Sequence, residues 1–200
     1  MADNWGPPDS EGWERSSIEF AFYHSLVDDD PAHAAPALEA LGRIAACWSR
    51  MEHHLDALIL QVNKPEHSEE LFEQHPVSFG NKIALLKKWF NRYPPLVSDK
   101  EDMQFLTSRL KVLANGDDNR FLTRNILMHA IPASYDTETR TVTLHHMQFV
   151  GDQIISRHIK FTLDALADFA KGVQLANNLL RLITEPLFTP EGFEKLQRPE

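Results

Sequence analysis

The spacing of apolar residues along the chain predicts a protein built mainly from helices. From Ala37 onward, apolar positions recur every three or four residues, which predicts one long helix over about Pro36–Asn63. The predicted apolar face of this helix comprises Leu38, Leu41, Ala45, Trp48, Leu55, Ile59 and Val62, with Glu52 among them. Such a face indicates a helix that packs against a core along most of its length.

Two further helices are predicted before residue 116. The second opens at Ser78–Gly80 and ends at Pro94–Pro95. The third takes Ser98 as its N-cap and closes near Asn115–Gly116. Its predicted apolar stripe consists of Met103, Leu106, Leu110 and Leu113.

A fourth helix and a small sheet are predicted next. Asp117 or Asp118 is the expected N-cap of this helix, which runs to about His129 because Pro132 disfavours a helical conformation at the residue before it. The following segments are rich in Thr, Val, Ile, Phe and His and are separated by turn sequences, which is typical of a β-meander. The predicted strands are Ala133–Tyr135, Arg140–Phe149 and Gln153–Lys160.

The last long helix is predicted over about Thr162–Ile183. Its buried face is expected to hold Leu163, Leu166, Phe169, Val173, Ala176, Leu180 and Ile183. The predicted fold is therefore mainly α: a single-domain bundle of about five helices with a small β-hairpin or meander before the last long helix. The predicted divisions are an acidic N-terminal extension (1–32), the bundle domain (33–185, meander about 133–160) and a C-terminal tail (186–200).

Composition and charge narrow the class of protein. The 200 residues include one cysteine, Cys47, so no disulfide can form within the chain, and burial beside Trp48 is expected for it. Neither a signal peptide nor a membrane-spanning segment is predicted, so a cytoplasmic location is expected. The net charge is −9, yet residues 80–130 carry nine bases against five acids. An acidic protein with this local excess of bases can still bind a phosphate-bearing partner.

The most informative motif lies on the predicted fourth helix, in the sequence RNILMH. Arg124 is followed directly by Asn125, and His129 lies four residues beyond that asparagine. The strict spacing has a chance expectation of about 0.03 occurrences in such a chain. Four residues of helix place Asn125 and His129 on nearly the same face, one turn apart.

These residue types suit the cleavage of RNA phosphodiester bonds. A histidine exchanges protons near neutral pH, and a guanidinium stabilises charge on phosphoryl oxygens through paired hydrogen bonds. Such chemistry requires neither a metal ion nor a cofactor. Asn125 could orient the imidazole or the phosphate.

The motif and the surrounding bundle resemble the HEPN-like superfamily, small helical proteins of prokaryotic toxin–antitoxin and defence systems. The resemblance covers about residues 35–185. It implies a metal-independent endoribonuclease that forms a homodimer with two motifs facing each other, with RNA and an antitoxin or other protein as partners. Arg124, Asn125 and His129 carry over as catalytic residues. Independently of the family, we expect Glu52 to be a buried acid that pairs with Arg124.

The same residues have structural interpretations. Arg-Asn at a helix start and His near a helix end are common surface or capping residues, and Glu52 can extend from the edge of an apolar face to water. The alternative function is a non-catalytic, homodimeric interaction module that binds a protein through its acidic, aromatic-rich N-terminal arm. No metal site is predicted, because the spacings typical of zinc and di-iron helices do not occur among the ten histidines.

Overall fold

A computed structural model describes most of the chain. The described residues are 30–63, 78–92, 100–116, 122–150 and 153–191, together with Leu26 and Pro76. Most of them are helical, and a three-stranded antiparallel sheet precedes the last long helix. The predictions of a mainly α chain and of an inserted meander are therefore confirmed, whereas the bundle arrangement stays a prediction. Most of the acidic extension lies outside the described residues.

The described part of the chain contains five α-helices and three strands in a fixed order. The helices are α1 (Pro31–Asn63), α2 (Phe79–Arg92), α3 (Lys100–Asn115), α4 (Arg124–His129) and α5 (Leu163–Thr184). The strands are β1 (Ile131–Asp136), β2 (Thr141–Val150) and β3 (Gln153–Thr162). A 3-10 turn, Glu185–Phe188, follows α5 where an extended tail was predicted. Within this described part, no helix combines the length and apolar character needed to cross a bilayer.

Helix α1 begins five residues before the predicted start at Pro36. Asp30 caps it: a side-chain oxygen of Asp30 accepts a hydrogen bond from the Ala32 N–H at 3.1 Å, and its carbonyl accepts from His33 and Ala34. Pro31 occupies the first helical position, where its missing N–H costs nothing. Pro36 therefore lies inside the helix rather than at its start.

The buried face of α1 differs from the predicted face in the first half of the helix. Leu38, Leu41 and Ala45 are only partly buried. The buried positions of α1 are Ala34, Ala37, Ile44, Trp48, Met51, Leu55, Leu58 and Ile59. Both faces follow three- and four-residue steps and share several positions, so the apolar pattern alone could not separate them.

Helices α2 and α3 match their predictions closely. The Ser78 hydroxyl accepts a hydrogen bond from the Asn81 N–H at 3.2 Å, which caps α2 as expected. Helix α3 ends at Asn115, and Gly116 follows with a φ of 83°, a conformation that closes helices and favours glycine. Ser98, the predicted cap of α3, lies outside the described residues.

The sheet has the strand order β1-β2-β3, as a meander requires. Strands β2 and β3 pair in register over their full lengths, with Val142 opposite Phe161 and Leu144 opposite Ile159. All four of these side chains are buried, so this face of the sheet belongs to the core. The three predicted strands are confirmed, with ends that differ by a few residues.

Helix α5 is confirmed at both ends to within a residue. The Thr162 hydroxyl accepts a hydrogen bond from the Ala165 N–H at 3.2 Å and so caps the first turn. All seven residues predicted for its buried face are buried: Leu163, Leu166, Phe169, Val173, Ala176, Leu180 and Ile183.

Contacts within the chain define two compact units. The first contains residues up to Ala46 and Asn115–Lys171, and the second contains Cys47–Ala114 and the chain from Gly172 onward. The sheet and α4 lie in the first unit. In the second unit, Lys82 is buried and its ammonium group lies 2.6 Å from the Asp56 carboxylate. The single-domain division predicted from the sequence stays a prediction.

Candidate functional site

The RNILMH motif forms the whole of α4, a helix of six residues. Thr123 is its N-cap, with the side-chain oxygen accepting a hydrogen bond from the Ile126 N–H at 3.3 Å. The prediction of Asp117 or Asp118 as the cap of this helix is therefore wrong, because Thr123 adopts the extended backbone and supplies the oxygen. The predicted end at His129 is confirmed.

The side chain of Asn125 forms hydrogen bonds with two other side chains. Its side-chain amide donates a hydrogen bond to the Asn115 side chain at 3.0 Å, and its side-chain oxygen accepts one from the Arg124 guanidinium at 3.4 Å. Asn115 is the last residue of α3, so α4 is tied to the end of that helix. Asn125 therefore links the Arg124 side chain to the end of α3.

His129 and Asn125 are both exposed, as expected of residues one turn apart on one helical face. The opposite side of α4 is buried through Ile126 and Leu127, and the helix packs against β2. The histidine of the motif is therefore accessible to solvent, while the backbone that carries it is held by the core.

The sheet brings further basic side chains to this region. His146 on β2 lies directly opposite Arg157 on β3, on the face that carries the core pairs. His145 points to the other face, where its imidazole Nε2 is hydrogen-bonded to the Ser156 hydroxyl and its ring centroid lies 5.0 Å from that of His158. His145 and His146 therefore occupy opposite faces of β2, as the alternation of side chains along a strand requires.

Charge and burial act together on His146. Burial lowers the pKa of His146 below its ordinary value of 6.5. The charge of Arg157 lowers this pKa further, followed by the charges of His129 and His145. Burial is also the main cause that lowers the pKa of His145, and the charge of His158 adds to it. The motif histidine therefore lies within electrostatic range of a mainly basic cluster.

Glu52 has a partner on its own helix. Its carboxylate accepts a hydrogen bond from the Trp48 indole N–H at 3.0 Å. Glu52 and Arg124 belong to different units, so their pairing stays a prediction. Trp48 is buried as predicted, whereas Cys47 is only partly buried.

The basic side chains of His129, His146 and Arg157 have the chemistry of an anion site rather than that of a metal site. No three His, Cys, Asp or Glu side chains of the described ranges come close enough to hold a metal ion together. Imidazole and guanidinium groups donate hydrogen bonds to phosphate oxygens, and imidazole can also exchange a proton. The arrangement at α4 and the sheet can therefore bind a phosphate group and move protons beside it.

His146 and Arg157 were missed by the sequence analysis. The alternation of side chains along a strand indicates that His145 and His146 face apart, but the register that places Arg157 opposite His146 depends on how β2 and β3 align, which no local pattern encodes.

Comparisons of this chain with protein-family models, with curated proteins and with solved structures find no match to any of them.

Proposed function

We propose that this protein is a metal-independent endoribonuclease that resembles the HEPN-like superfamily. His129 is the general acid/base, Arg124 binds a phosphoryl oxygen and Asn125 holds Arg124 in place. The observation that carries the proposal is the exposure of His129 on a core-anchored helix within electrostatic range of His146.

The reaction that fits these groups is transfer of the phosphodiester to the neighbouring 2′-hydroxyl. A histidine removes the 2′-hydroxyl proton, the 2′-oxygen forms a bond to phosphorus, and the bond from phosphorus to the 5′-oxygen breaks. The leaving 5′-oxygen takes a proton, so the products are a 2′,3′-cyclic phosphate and a 5′-hydroxyl end. A guanidinium stabilises the charge that develops on the phosphoryl oxygens.

The cellular role belongs to the same proposal. The superfamily resemblance supports a cytoplasmic homodimer of the toxin–antitoxin or defence type, with RNA as substrate and an antitoxin or other protein as partner. The bundle arrangement and the pairing of Glu52 with Arg124 are part of this proposal.

The alternative is a non-catalytic homodimeric interaction module. Two exposed leucines on α5, Leu175 and Leu182, favour it. They lie seven residues apart and therefore on one side of the helix, which is the pattern of a helix that contacts another protein.

Cleavage of total RNA in the presence of a chelator tests the catalytic proposal. We expect the wild type to cleave and His129→Ala to lose activity by about 10²- to 10⁴-fold, because proton transfer contributes that much to such reactions. His53→Ala, which removes an exposed histidine of α1, is the matched control and should cleave like the wild type.

Equal cleavage by the wild type and His129→Ala would contradict the proposal and indicate another active site or a contaminant. An absence of cleavage in both proteins, with both folded, would favour the interaction module.

A further inference from the structure

The cross-strand pair of His146 and Arg157 extends the core face of the sheet beyond its apolar part. Along β2 and β3 this face runs from Val142–Phe161 through Leu144–Ile159 to His146–Arg157. The first two pairs are fully apolar and buried. The core face of the sheet therefore continues into two basic side chains. Such groups bind water or anions, yet here they lie where they are partly shielded from solvent.

His146 has an unsatisfied polar atom at this position. Its side chain is only 9% exposed, and its buried Nδ1 has no hydrogen-bond partner among the residues that the structure describes. Burial of a polar group without a hydrogen bond costs about 1–3 kcal/mol. The great majority of buried polar groups in proteins are paired, so a missing partner at this position indicates a ligand.

The charges around His146 define the class of that ligand. Arg157 lies opposite His146 on β3, and the charges of Arg157, of His129 on α4 and of His145 on the other face of β2 each disfavour the imidazolium form. Arginine remains protonated and presents paired donors that match the oxygens of phosphate. An anion with several acceptor oxygens can accept hydrogen bonds from both the guanidinium and the imidazole.

We infer that His146 and Arg157 form a binding site for a phosphodiester group, with His129 as its solvent-exposed neighbour. The inference that this site holds the RNA substrate rests on the proposed function. The inference that it binds a phosphate group does not. Arg157 binds two oxygens of the phosphate, and His146 donates a hydrogen bond to one of them. His129 then lies where it can exchange a proton with the bound group.

The site has a defined pH dependence. His146 is neutral at neutral pH because burial and the surrounding cations lower its pKa. A bound anion favours the imidazolium, so binding takes up a proton and the pKa of His146 rises in the complex. Affinity for an anion of constant charge should therefore increase as the pH falls.

A deoxydinucleotide with one phosphodiester is the probe of choice. It remains a monoanion over the relevant pH range, and it cannot be cleaved through a 2′-hydroxyl. We expect the full-length wild type to bind it several-fold more tightly at about pH 6 than at about pH 7.5. Arg157→Gln and His146→Gln should each weaken binding by about tenfold or more.

The matched control is Lys160→Gln. Lys160 is an exposed base on β3, on the opposite face of the sheet from Arg157, and its loss should leave binding unchanged. Nuclear magnetic resonance of the wild-type histidine rings provides a second readout that needs no variant. The pKa of His146 should rise when the dinucleotide is added.

The outcomes separate this inference from the ribonuclease proposal. Dinucleotide binding that is lost in Arg157→Gln, in a protein that cleaves no RNA, would support the phosphate site and contradict the enzyme. RNA cleavage by the wild type, with unchanged binding and cleavage in both variants, would overturn the phosphate site and leave the enzyme standing. Failure of the wild type to bind the dinucleotide, or an unchanged pKa of His146 at saturation, would also overturn it.

Discussion

His145 and His146 show how two adjacent residues of the same type can have different roles. His145 is 1% exposed, and its imidazole is hydrogen-bonded to Ser156 within the protein. His146 is on the other face and directly opposite Arg157. Burial and neighbouring charges lower the pKa of both imidazoles and so disfavour their charged forms in the folded protein.

Stability should therefore fall in mild acid. The pKa values of both histidines are lowered in the folded protein, so below the ordinary value of 6.5 the unfolded chain binds more protons than the folded chain. The free energy of unfolding should decrease as the pH falls from about 6.5, by at most about 1.4 kcal/mol per pH unit for each histidine. Urea unfolding across this range measures the slope.

Two variants distinguish these histidines from the others. His146→Gln removes one of the two groups and should give a shallower dependence on pH. His53→Gln removes an exposed histidine of α1 and should reproduce the wild-type slope. A wild-type free energy of unfolding that stays constant between about pH 7 and pH 5 would contradict the assignment.

Helix α4 is too short to be stable on its own. Six residues are far fewer than an isolated helix needs in water. It is held by the Thr123 cap, by burial of Ile126 and Leu127, and by a hydrogen bond from the Ala130 N–H to the Ile126 carbonyl. The position of the whole motif therefore depends on tertiary contacts.

The Thr123 cap can be tested with two substitutions of similar size. Thr123→Val keeps the shape of the side chain but loses the oxygen that accepts from Ile126, so it should destabilise the protein by about 1 kcal/mol. Thr123→Ser keeps the oxygen and should retain most of the capping energy. Chemical unfolding followed by circular dichroism compares the two. Greater destabilisation by serine than by valine would show that the methyl group, and not the cap, holds α4.

The elements differ in how far the sequence could predict them. Helix α5 has one continuous apolar face, and both its ends and its buried residues were predictable. Helix α1 has two overlapping apolar faces, so its buried register depended on packing. The start of α4 was not predictable because its cap, Thr123, is of a residue type less favoured at N-caps than the aspartates before it.

Only the part of the candidate site that lies within one short stretch of the chain was predictable. The spacing of Asn125 and His129 on one exposed face followed from helical geometry. The rest of the site joins residues that are distant along the chain. His129 is near His146, and His146 is near Arg157, because of strand register and the packing of α4 against β2, which no local pattern encodes.

At the scale of the whole molecule, α1 and α5 each contribute residues to both compact units. Within the second unit, α5 presents Leu175 and Leu182, which are 68% and 64% exposed. Large exposed apolar residues on one side of a helix commonly mark a contact with another protein. The proposed homodimer would bury them.

Charged substitutions on this face should dissociate the proposed homodimer. Leu175→Glu combined with Leu182→Glu would place two carboxylates in an apolar contact, so we expect a monomer at concentrations where the wild type is dimeric. Light scattering after size-exclusion chromatography measures the mass. Gln174→Glu, at an exposed position beside Leu175, adds a charge outside the stripe and should leave the dimer intact. A dimer that persists in the double variant would assign dimerisation to another surface.

The side chain of His33 contacts the outer edge of the sheet. Its Nε2 lies 3.0 Å from the carbonyl oxygen of Tyr135 on β1, and the pairing of this strand is shifted between Pro132 and Ser134. A strand from a second molecule would need that carbonyl and a regular edge in order to pair. The first turn of α1 therefore obstructs the β1 edge at Tyr135 and disfavours the addition of a further strand on that side of the sheet, a step by which β-structure spreads from one molecule to the next.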